Sequence, residues 1–455
     1  MKRLLVLAFA VFACFSGDAA SRPPNIIFIL ADDLGWGDLG CYGQKKIKTP
    51  NLDRMAAEGM RFTSAYAGST VCAPSRCALM TGLHTGHALI RGNAKVPLRP
   101  EDVTVTEVLK QADYKTACLG KWGLGLEHTT GVPRRKGFDE FFGYLDQTHA
   151  HNYYPEFLWR NEDRFLMPKN QNGERGDYAP DWFTRAALNF IRDAQKGPFF
   201  LYLAHITPHA NNERQREKKD GMEVPGDAPY SAEPWPQAER NKAAMITRLD
   251  ADIGRLFARL KELKLDEQTV VFFSSDNGPH KEGGNDPEFF DSNGPFRGIK
   301  RDLAEGGIRV PLLVRWPGKI ASSTVSDEPV AFWDFLATAA ELAGVSAPPK
   351  TDGISFGPTL LGQPQSRRHE FLYWEFHEGG FQQAVRAGDW KAIRKAGQPM
   401  ELFHLRGDPD EVLDMAASQP AIVQEMEVRM KSARTESERW PANAAGTPPR
   451  KRKKD

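Results

Sequence analysis

Short apolar runs and amphipathic stretches alternate along the chain, and their order predicts the fold. Unbroken apolar runs, typical of strands covered on both faces, occupy residues 25–30, 199–203, 270–273 and 311–314. Helix signals lie between these runs, each with a cap, a proline or a stop, at residues 50–59, 104–107, 181–194 and 238–263. Buried strands that alternate with helices predict an α/β fold in which helices cover both faces of the sheet.

The pattern changes after a Pro- and Gly-rich stretch at residues 345–362. Beyond it, residues 370–376 and 383–394 predict strands with a turn near Gly379, and residues 421–431 predict a helix. In the main part of the chain, the polar and Pro-rich residues 213–236 predict a surface loop. We therefore expect these units: a main domain over 21–345, a smaller C-terminal α+β subdomain with an antiparallel sheet over 363–440, and a disordered basic tail over 441–455.

The N-terminus has the pattern of an export signal. Two basic residues precede an apolar run at 4–15, which is too short to span a bilayer comfortably, and small residues follow at 19–21. This pattern predicts a signal peptide over 1–20, a periplasmic or secreted protein, and no transmembrane span. An uncleaved anchor is the alternative, and lipid attachment through Cys14 would use a poor lipobox.

Charge and cysteine content exclude some classes of protein. With 60 Lys plus Arg against 59 Asp plus Glu, the chain lacks the excess of positive charge expected of a nucleic-acid partner. The basic cluster at 450–454 predicts a solvated tail or, alternatively, a tether for an anionic polymer. Four cysteines remain after residue 20, at 41, 72, 77 and 118, so two disulfides are arithmetically possible, but the chain is not a disulfide scaffold.

Acidic and amide residues follow two of the predicted strands. Asp32 and Asp33 come after the first strand, and Asp276 and Asn277 come after the third. Because ligands gather beyond the carboxyl ends of parallel strands, these four side chains can converge. Hard oxygen donors suit calcium or magnesium, and loop carboxylates favour calcium. Alternatively, each pair caps a turn, since Asp and Asn are common turn residues.

The segment from Ser69 to Gly82 carries the most specific signal in the sequence. Pro74 suits the first turn of a helix that ends near Gly82, which places Cys72 at a helix N-terminus. Free amides and the helix dipole favour an anion there, and Arg76 lies on the same helix face, four residues on. A reactive thiolate or a small buried cysteine is the ordinary alternative.

With this segment the chain resembles the type I sulfatases, arylsulfatase-like and formylglycine-dependent enzymes of the alkaline phosphatase superfamily. Their signature C-x-P-S-R-x-x-x-x-T-G matches residues 72–82. Further matches extend over essentially the whole chain after residue 20: the Asp32-Asp33 strand end, GKWGLG at 120–125, TPH at 207–209, SDNG at 275–278 and RGIKRDLAEGGIRVP at 297–311. The resemblance implies a large mixed, mostly parallel sheet of the alkaline phosphatase type.

The resemblance also implies a reaction. A maturation enzyme would oxidise Cys72 to formylglycine, whose hydrate would attack the sulfur of a sulfate ester and become sulfated. The second hydroxyl of the hydrate would then expel sulfate and restore the aldehyde, a route that serine or cysteine lacks. Calcium would hold the nucleophile and the sulfate together, with these ligands: Asp32, Asp33, Asp276, Asn277 and residue 72.

Other roles carry over by motif. Arg76 would steady the hydrate, and Lys121 and Lys300 would clamp the sulfate oxygens, with Lys300 also near the departing oxygen. His209 would protonate the leaving group, a role that suits its ordinary pKa. His205 is the other candidate, unless it is a buried, hydrogen-bonded histidine.

One position departs from the family pattern. Many sulfatases have GKWHLG, whose histidine contacts the nucleophile, whereas this sequence has Gly123. Some bacterial sulfatases share the glycine together with an AHNYYP-like segment, which marks a subgroup trait. Residues 146–155 are the natural source of a replacement imidazole, from His151 in preference to His149.

Substrate contacts and the substrate itself are less constrained. Trp374 and His377 could hold a sugar ring, although Trp374 and Phe376 could equally be core residues on alternate strand positions. We expect a sulfuric ester hydrolase acting on sulfated carbohydrate or on a small aryl sulfate. The alternatives are a phosphonate or phosphodiester hydrolase with the same metal site, and a silent glycan-binding relative, against which the complete set of site residues argues.

Overall fold

The structure, a computed structural model, describes residues 22–442. The predicted signal peptide with Cys14, and the predicted basic tail beyond residue 442, lie outside the described residues. Between residues 22 and 442, no helix has both the length and the apolarity needed to cross a membrane. The cysteines at 41, 72, 77 and 118 form no disulfide with one another.

The described residues contain sixteen strands. In chain order the strands are β1 (Asn25–Ala31), β2 (Met60–Phe62), β3 (Ala65–Tyr66), β4 (Lys115–Lys121), β5 (Glu140–Tyr144), β6 (Phe157–Arg160), β7 (Asp163–Leu166), β8 (Phe199–Ala204), β9 (Thr269–Ser275), β10 (Leu312–Arg315), β11 (Thr324–Ser326), β12 (Val330–Ala331), β13 (Leu372–Phe376), β14 (Gln382–Ala387), β15 (Trp390–Lys395) and β16 (Glu401–His404).

The same part of the chain contains ten α-helices and several short 3₁₀ helices. The α-helices are α1 (Pro50–Ala57), α2 (Cys72–Thr81), α3 (Val105–Leu109), α4 (Ala179–Ala194), α5 (Asn212–Lys218), α6 (Gln237–Glu262), α7 (Glu305–Ile308), α8 (Asp334–Ala343), α9 (Gly357–Leu360) and α10 (Pro420–Ser432). The 3₁₀ helices are Trp36–Asp38, Gly40–Tyr42, Lys110–Ala112, Pro133–Lys136, His149–His151, Pro168–Gly173, Asp266–Gln268 and Pro287–Phe290.

A ten-stranded sheet in the order β11-β2-β10-β9-β1-β8-β4-β5-β6-β7 forms the centre of the molecule. Its five middle strands, β9 to β5 in that order, are parallel, whereas β10 and β6 run antiparallel to their inner neighbours. The predicted α/β class with a large mixed, mostly parallel sheet is therefore confirmed. Strands β13 to β16 form a separate antiparallel sheet, and β3 and β12 form a parallel two-stranded sheet.

Strand β1 shows why the apolar runs are unbroken. Its alternate side chains enter two different cores: Ile26, Phe28 and Leu30 pack with residues of α2, α3 and α8, whereas Ile27 and Ile29 pack with residues of α1, α4 and α6. Because helices cover both faces, both sets of side chains must be apolar. The one polar residue of the strand, Asn25, is therefore its first residue, and Asp32 and Asp33 come after its end.

Two sequence predictions are wrong in part. Residues 383–394 form two strands, β14 and β15, because Gly388, in the left-handed region with φ +57°, reverses the chain between them. The predicted loop at 213–236 begins with α5, whose N-terminus is capped by Asn211 through its side-chain contact with the Arg214 amide. The domain boundary at 345–362 stays a prediction.

Candidate active site

The predicted site residues lie at one edge of the central sheet. Asp32 and Asp33 follow β1, Asp276 and Asn277 follow β9, and Lys121 is the last residue of β4. The register pairs the final residues of β1 and β9, so the two acidic pairs leave the sheet at the same level. The carboxyl ends of neighbouring parallel strands thus bring these side chains together, as ligand sites in open α/β sheets require.

The helix α2 presents Cys72 to this edge. It begins at Cys72 and ends before Gly82, which adopts φ +69°, as the sequence predicts. The Cys72 thiol donates to Asp32 Oδ1 at 3.3 Å. One turn later, Arg76 Nε donates to Asp276 Oδ2 at 3.0 Å. The helix therefore joins the two acidic strand ends through residues on one of its faces.

The oxygen atoms at the strand ends form a compact cluster. Asp33 adopts φ +64°, and its backbone N–H donates to Asp276 Oδ1 at 3.1 Å. Asn277 Nδ2 donates to Asp33 Oδ1 at 2.7 Å, whereas Asn277 Oδ1 is buried and has no hydrogen-bond partner in the described chain. An unpartnered buried oxygen beside three carboxylates is the donor set that a hard cation prefers. These residues therefore fit a calcium ion.

Three buried cations balance the three carboxylates. Lys121 Nζ donates to Asp32 Oδ2 at 2.7 Å, and Lys300 Nζ donates to Asp33 Oδ2 at 2.7 Å. An Arg76 terminal nitrogen lies 2.8 Å from Asp276 Oδ2, and the other donates to the Lys121 carbonyl at 2.8 Å. Three cationic donors thus lie around residue 72, in positions from which they could also contact an anion.

Burial and neighbouring charges shift the pKa values of the acids in opposite directions. Burial opposes ionisation of Asp32, but Lys121 and Arg76 outweigh it and lower the pKa to about 2. Burial raises the pKa of Asp276 to about 7, with a further contribution from Asp32. Burial and the same carboxylates raise the pKa of the Cys72 thiol far above its usual value.

The imidazole ring of His209 is oriented by the backbone carbonyl of the next residue. Its Nδ1–H donates to the Ala210 carbonyl at 2.7 Å, which leaves Nε2 facing Lys300 Nζ at 3.2 Å. Burial and the Lys300 charge hold the pKa of His209 well below its usual value. His205 is buried as well, but neither of its ring nitrogens has a hydrogen-bond partner among residues 22–442, and burial lowers its pKa to about 4.

Of the two histidines weighed as replacement imidazoles, the structure places His151 next to His209. The two rings stack with centroids 4.7 Å apart at 13°, and His151 Nδ1 lies 2.8 Å from Glu213 Oε2. His149 instead packs edge-on against Tyr144, with ring centroids 4.9 Å apart.

The space next to Gly123 is filled by a residue that the sequence did not single out. Gly123 has φ +81°, and a Cβ atom there would overlap Gln147 Nε2. Both amide atoms of Gln147 are buried without a hydrogen-bond partner in the described chain. They line a cavity of about 100 Å³ with Asn93, whose Oδ1 accepts from the Ala73 amide next to residue 72.

Trp374 and His377, the predicted substrate contacts, lie on β13 and directly after it. Trp374 packs against Tyr66 of β3 and against Trp333. Trp374 is fully buried, and its indole N–H donates to the Ala67 carbonyl at 2.9 Å. This position corresponds to the core-packing alternative. His377 Nε2 lies 3.0 Å from Glu375 Oε1, within a buried group of charged residues.

Two charged residues beside Lys300 are not predicted as site residues by the sequence. Glu282 Oε2 lies 3.7 Å from Lys300 Nζ, and Arg301 donates to Glu282 Oε1 at 2.7 Å. Arg301 adopts φ +80°, unusual for a residue with a side chain, and also pairs with Glu378 at 3.3 Å. No motif marks Glu282, and the matched segment at 297–311 contains Arg301 without indicating a role.

Comparison with known proteins decides the family. A model of the sulfatase family matches residues 24–345, and a model described as N-sulphoglucosamine sulphohydrolase, C-terminal, matches residues 296–436. The chain belongs to the sulfatase family. Since members of this family hydrolyse sulfate esters, this sulfatase is a sulfuric ester hydrolase of the arylsulfatase-like type.

Individual relatives agree with this assignment. The sulfatase is 33% identical over 428 residues to N-acetylgalactosamine-6-sulfatase of Canis lupus familiaris, covering 86% of this chain and 75% of that protein. It is 35% identical over 424 residues to arylsulfatase A of Homo sapiens, covering 86% and 77%. The crystal structure of Ps i-CgsB in complex with k-i-k-neocarrahexaose superposes with a TM-score of 0.80 at 29% identity, covering 93% of this chain and 96% of the other.

Proposed function

We propose that this sulfatase is exported and hydrolyses sulfate monoesters of carbohydrates, using a formylglycine made from Cys72 and a bound calcium ion. The observation that carries the proposal is the position of Cys72. It begins a buried helix, and its sulfur lies 3.3 Å from Asp32, inside the cluster of carboxylates and cations. That sulfur marks the place where the oxygen of a hydrated formylglycine would stand.

The formylglycine and the calcium ion would have separate roles. Formylglycine supplies an attacking oxygen and a second hydroxyl through which sulfate is released. Calcium supplies positive charge next to the nucleophile and the sulfate. Its proposed ligands are Asp32, Asp33, Asp276, Asn277 and residue 72, and the unpartnered Asn277 Oδ1 supports this set.

The side chains of the chain itself bind the sulfate and move the proton. Lys121 and Lys300 donate to the sulfate oxygens, and Arg76 stabilises charge at residue 72. His209 gives a proton from Nε2 to the oxygen of the leaving alcohol. Lys300 Nζ lies 3.2 Å from that nitrogen, so both groups can contact the same leaving oxygen. Because burial lowers the pKa of His209, its protonated form gives up a proton more readily than an exposed imidazolium would.

A second part of the proposal concerns Gly123. We propose that the Gln147 amide provides the polar contact that a histidine at position 123 would otherwise make. Its two unpartnered atoms and its closeness to Gly123 support this role. His151, stacked on His209, is proposed to position that ring and to contact the substrate.

Carbohydrate is favoured as the substrate by the relatives. One is named N-acetylgalactosamine-6-sulfatase, and the structural neighbour was crystallised in complex with k-i-k-neocarrahexaose. The pattern of residues 1–21 supports export. A formylglycine-generating or equivalent maturation enzyme is then a required partner.

Kinetics on paired esters test the proposal. Enzyme produced in a host that matures sulfatases is assayed on 4-nitrophenyl sulfate, on the matching phosphate and phosphonate esters, and on sulfated oligosaccharides. We expect kcat/KM for 4-nitrophenyl sulfate to exceed the values for the phosphate and phosphonate esters by roughly a hundredfold. A preference for a phosphorus ester would favour the hydrolase alternative, and no turnover of any ester would favour a silent glycan-binding relative.

A further inference from the structure

A groove of about 990 Å³ crosses the C-terminal sheet and shares no lining residue with the site described above. Its walls are the turn between β13 and β14, the turn after β15, and the C-terminal half of α10 with the residues that follow. Its volume is at the upper end of the range for small-molecule sites, about 300–1,000 Å³. We call it the C-terminal groove.

The lining of the C-terminal groove carries excess positive charge. Four cationic side chains face two carboxylates: Arg394, Lys395, Lys431 and Arg434 against Glu427 and Glu436. Arg434 is already paired with Glu436 at 2.9 Å and with Glu375 at 3.0 Å. Lys395 and Lys431 are exposed and form no ion pair with any residue between 22 and 442. These two lysines are therefore available to an anionic ligand.

The remaining polar groups suit a glycan. Three amide side chains, Gln382, Gln383 and Gln398, line the same groove, and Arg394 donates to Gln383 Oε1 at 2.6 Å. Amides hydrogen-bond hydroxyl groups, whereas lysine and arginine bind sulfate and carboxylate groups. The lining extends to Ala442, after which the sequence continues to the basic cluster at 450–454.

One end of the C-terminal groove is linked to the active site. Its first lining residue, Gly379, follows Glu378, whose carboxylate lies 3.3 Å from Arg301 Nε. Arg301 is the neighbour of Lys300 in the sequence. A long ligand with one sulfate at residue 72 could therefore extend past Arg301 towards the groove.

We infer that the C-terminal groove binds a sulfated polysaccharide at sugar residues remote from the sulfate that is hydrolysed. The inference rests on the proposed function, because it assigns a polymer as the substrate class. A polymer would then gain affinity from Lys395 and Lys431 that a small aryl sulfate cannot use.

Charge reversal of the two lysines tests the inference on the full-length enzyme. The test variant is Lys395→Glu with Lys431→Glu. The matched control is Lys196→Glu with Lys261→Glu. It reverses two exposed lysines that do not line the groove, one between α4 and β8 and the other near the C-terminal end of α6. Affinity for immobilised heparin, chondroitin sulfate and carrageenan is measured at several salt concentrations.

We expect the parental enzyme to bind at least one of the three polymers. The test variant should bind that polymer at least about tenfold more weakly, with a salt dependence of log K that is shallower by about one to two. The control variant should bind like the parent. Equal binding by the test and control variants, binding of the parent to none of the polymers, or equally strong binding of the parent to duplex DNA would overturn the inference.

Hydrolysis of 4-nitrophenyl sulfate separates this inference from the proposed function. We expect the test variant to keep parental kcat and KM on this small ester, because the groove contributes no residue to the cluster around residue 72. Loss of that activity in the variant would contradict a separate polymer site. Failure of the parental enzyme on the small ester would count against the proposed function, while the binding measurement would still report on the groove.

Discussion

Cys72 is surrounded by more charged side chains than a buried cysteine normally is. Asp32 accepts its thiol hydrogen, and Arg76 and Lys121 hold the neighbouring carboxylates in place. None of these charged residues is needed to pack a small side chain. Their arrangement serves the group at position 72, so changes there should affect turnover much more than folding.

Replacement of Cys72 by serine tests this separation. Serine is of similar size and can donate the same hydrogen bond to Asp32, but it cannot become an aldehyde. We expect Cys72→Ser to lower kcat for aryl sulfate by about three orders of magnitude or more, with little change in the thermal unfolding midpoint. A variant with parental kcat would exclude the hydrate as the nucleophile.

Gln147 provides a second prediction for a single residue. Because its amide has no hydrogen-bond partner in the described chain, Gln147→Ala breaks no hydrogen bond there and should leave the free energy of unfolding nearly unchanged. We expect kcat for aryl sulfate to fall by about tenfold. Unchanged kinetics would show that the amide only fills space beside Gly123.

The sequence predicts some of these residues and not others for a physical reason. Asp32, Cys72 and Asp276 are marked by local patterns, since each lies at a strand end or a helix start. The proposed role of Gln147 depends on a contact between two loops, and no local sequence pattern predicts that contact. The same limit applies to Trp374, whose neighbours Tyr66 and Trp333 come from other parts of the chain.

Among the elements, the docking of the C-terminal sheet depends on a buried carboxylate. Glu375 on β13 accepts from Arg91 at 2.9 Å and from Arg434 at 3.0 Å. Apolar periodicity predicts β13 itself, but it does not predict this cross-domain pair. The hydrophobic pattern also predicts one strand over residues 383–394 where the structure has two, because the turn at Gly388 between β14 and β15 is only two residues long.

The stability contributed by Glu375 should depend on pH. Burial opposes its ionisation, but His377 and Arg91 outweigh it and lower the pKa to about 2, below the unfolded value of about 4.3. Its contribution, about 3 kcal/mol, is therefore present above pH 4.3 and is lost as the pH falls towards 2. Glu375→Gln should lower the free energy of unfolding by a similar amount at pH 7, with the difference disappearing near pH 2.

Urea unfolding at a series of pH values checks this prediction. Glu436→Gln is the control, because Glu436 pairs with the same Arg434 but is mostly exposed, so its loss should change stability little. A pH-independent difference between Glu375→Gln and the parent would contradict the assigned cause.

At the scale of the whole molecule, the charged side chains of the site lie at the edge of the main sheet where strands β1, β4, β8 and β9 end. The alternation of strands and helices predicts that edge, and the motif order predicts which side chains reach it. The distances among them depend on sheet register, which the sequence pattern does not determine. A cation bound there would join elements from both halves of the main sheet.

Metal removal should therefore lower both activity and stability. Chelation by EDTA is expected to abolish turnover, and calcium at a hundred times its Kd should restore turnover and stabilise the fold by about 2.7 kcal/mol.

Asn277→Asp keeps a ligand oxygen and should retain the calcium-induced shift in unfolding temperature, whereas Asn277→Leu should lose most of it. A shift of equal size in both variants would remove Asn277 from the ligand set.

Mass spectrometry of the tryptic peptide covering residues 62–76 tests the central claim most directly, since Cys72 is its only cysteine. In enzyme with full sulfatase activity, we predict an aldehyde at position 72 that reacts with a hydrazide probe and resists alkylation by iodoacetamide. A fully alkylated thiol at Cys72 in equally active enzyme would contradict the formylglycine mechanism.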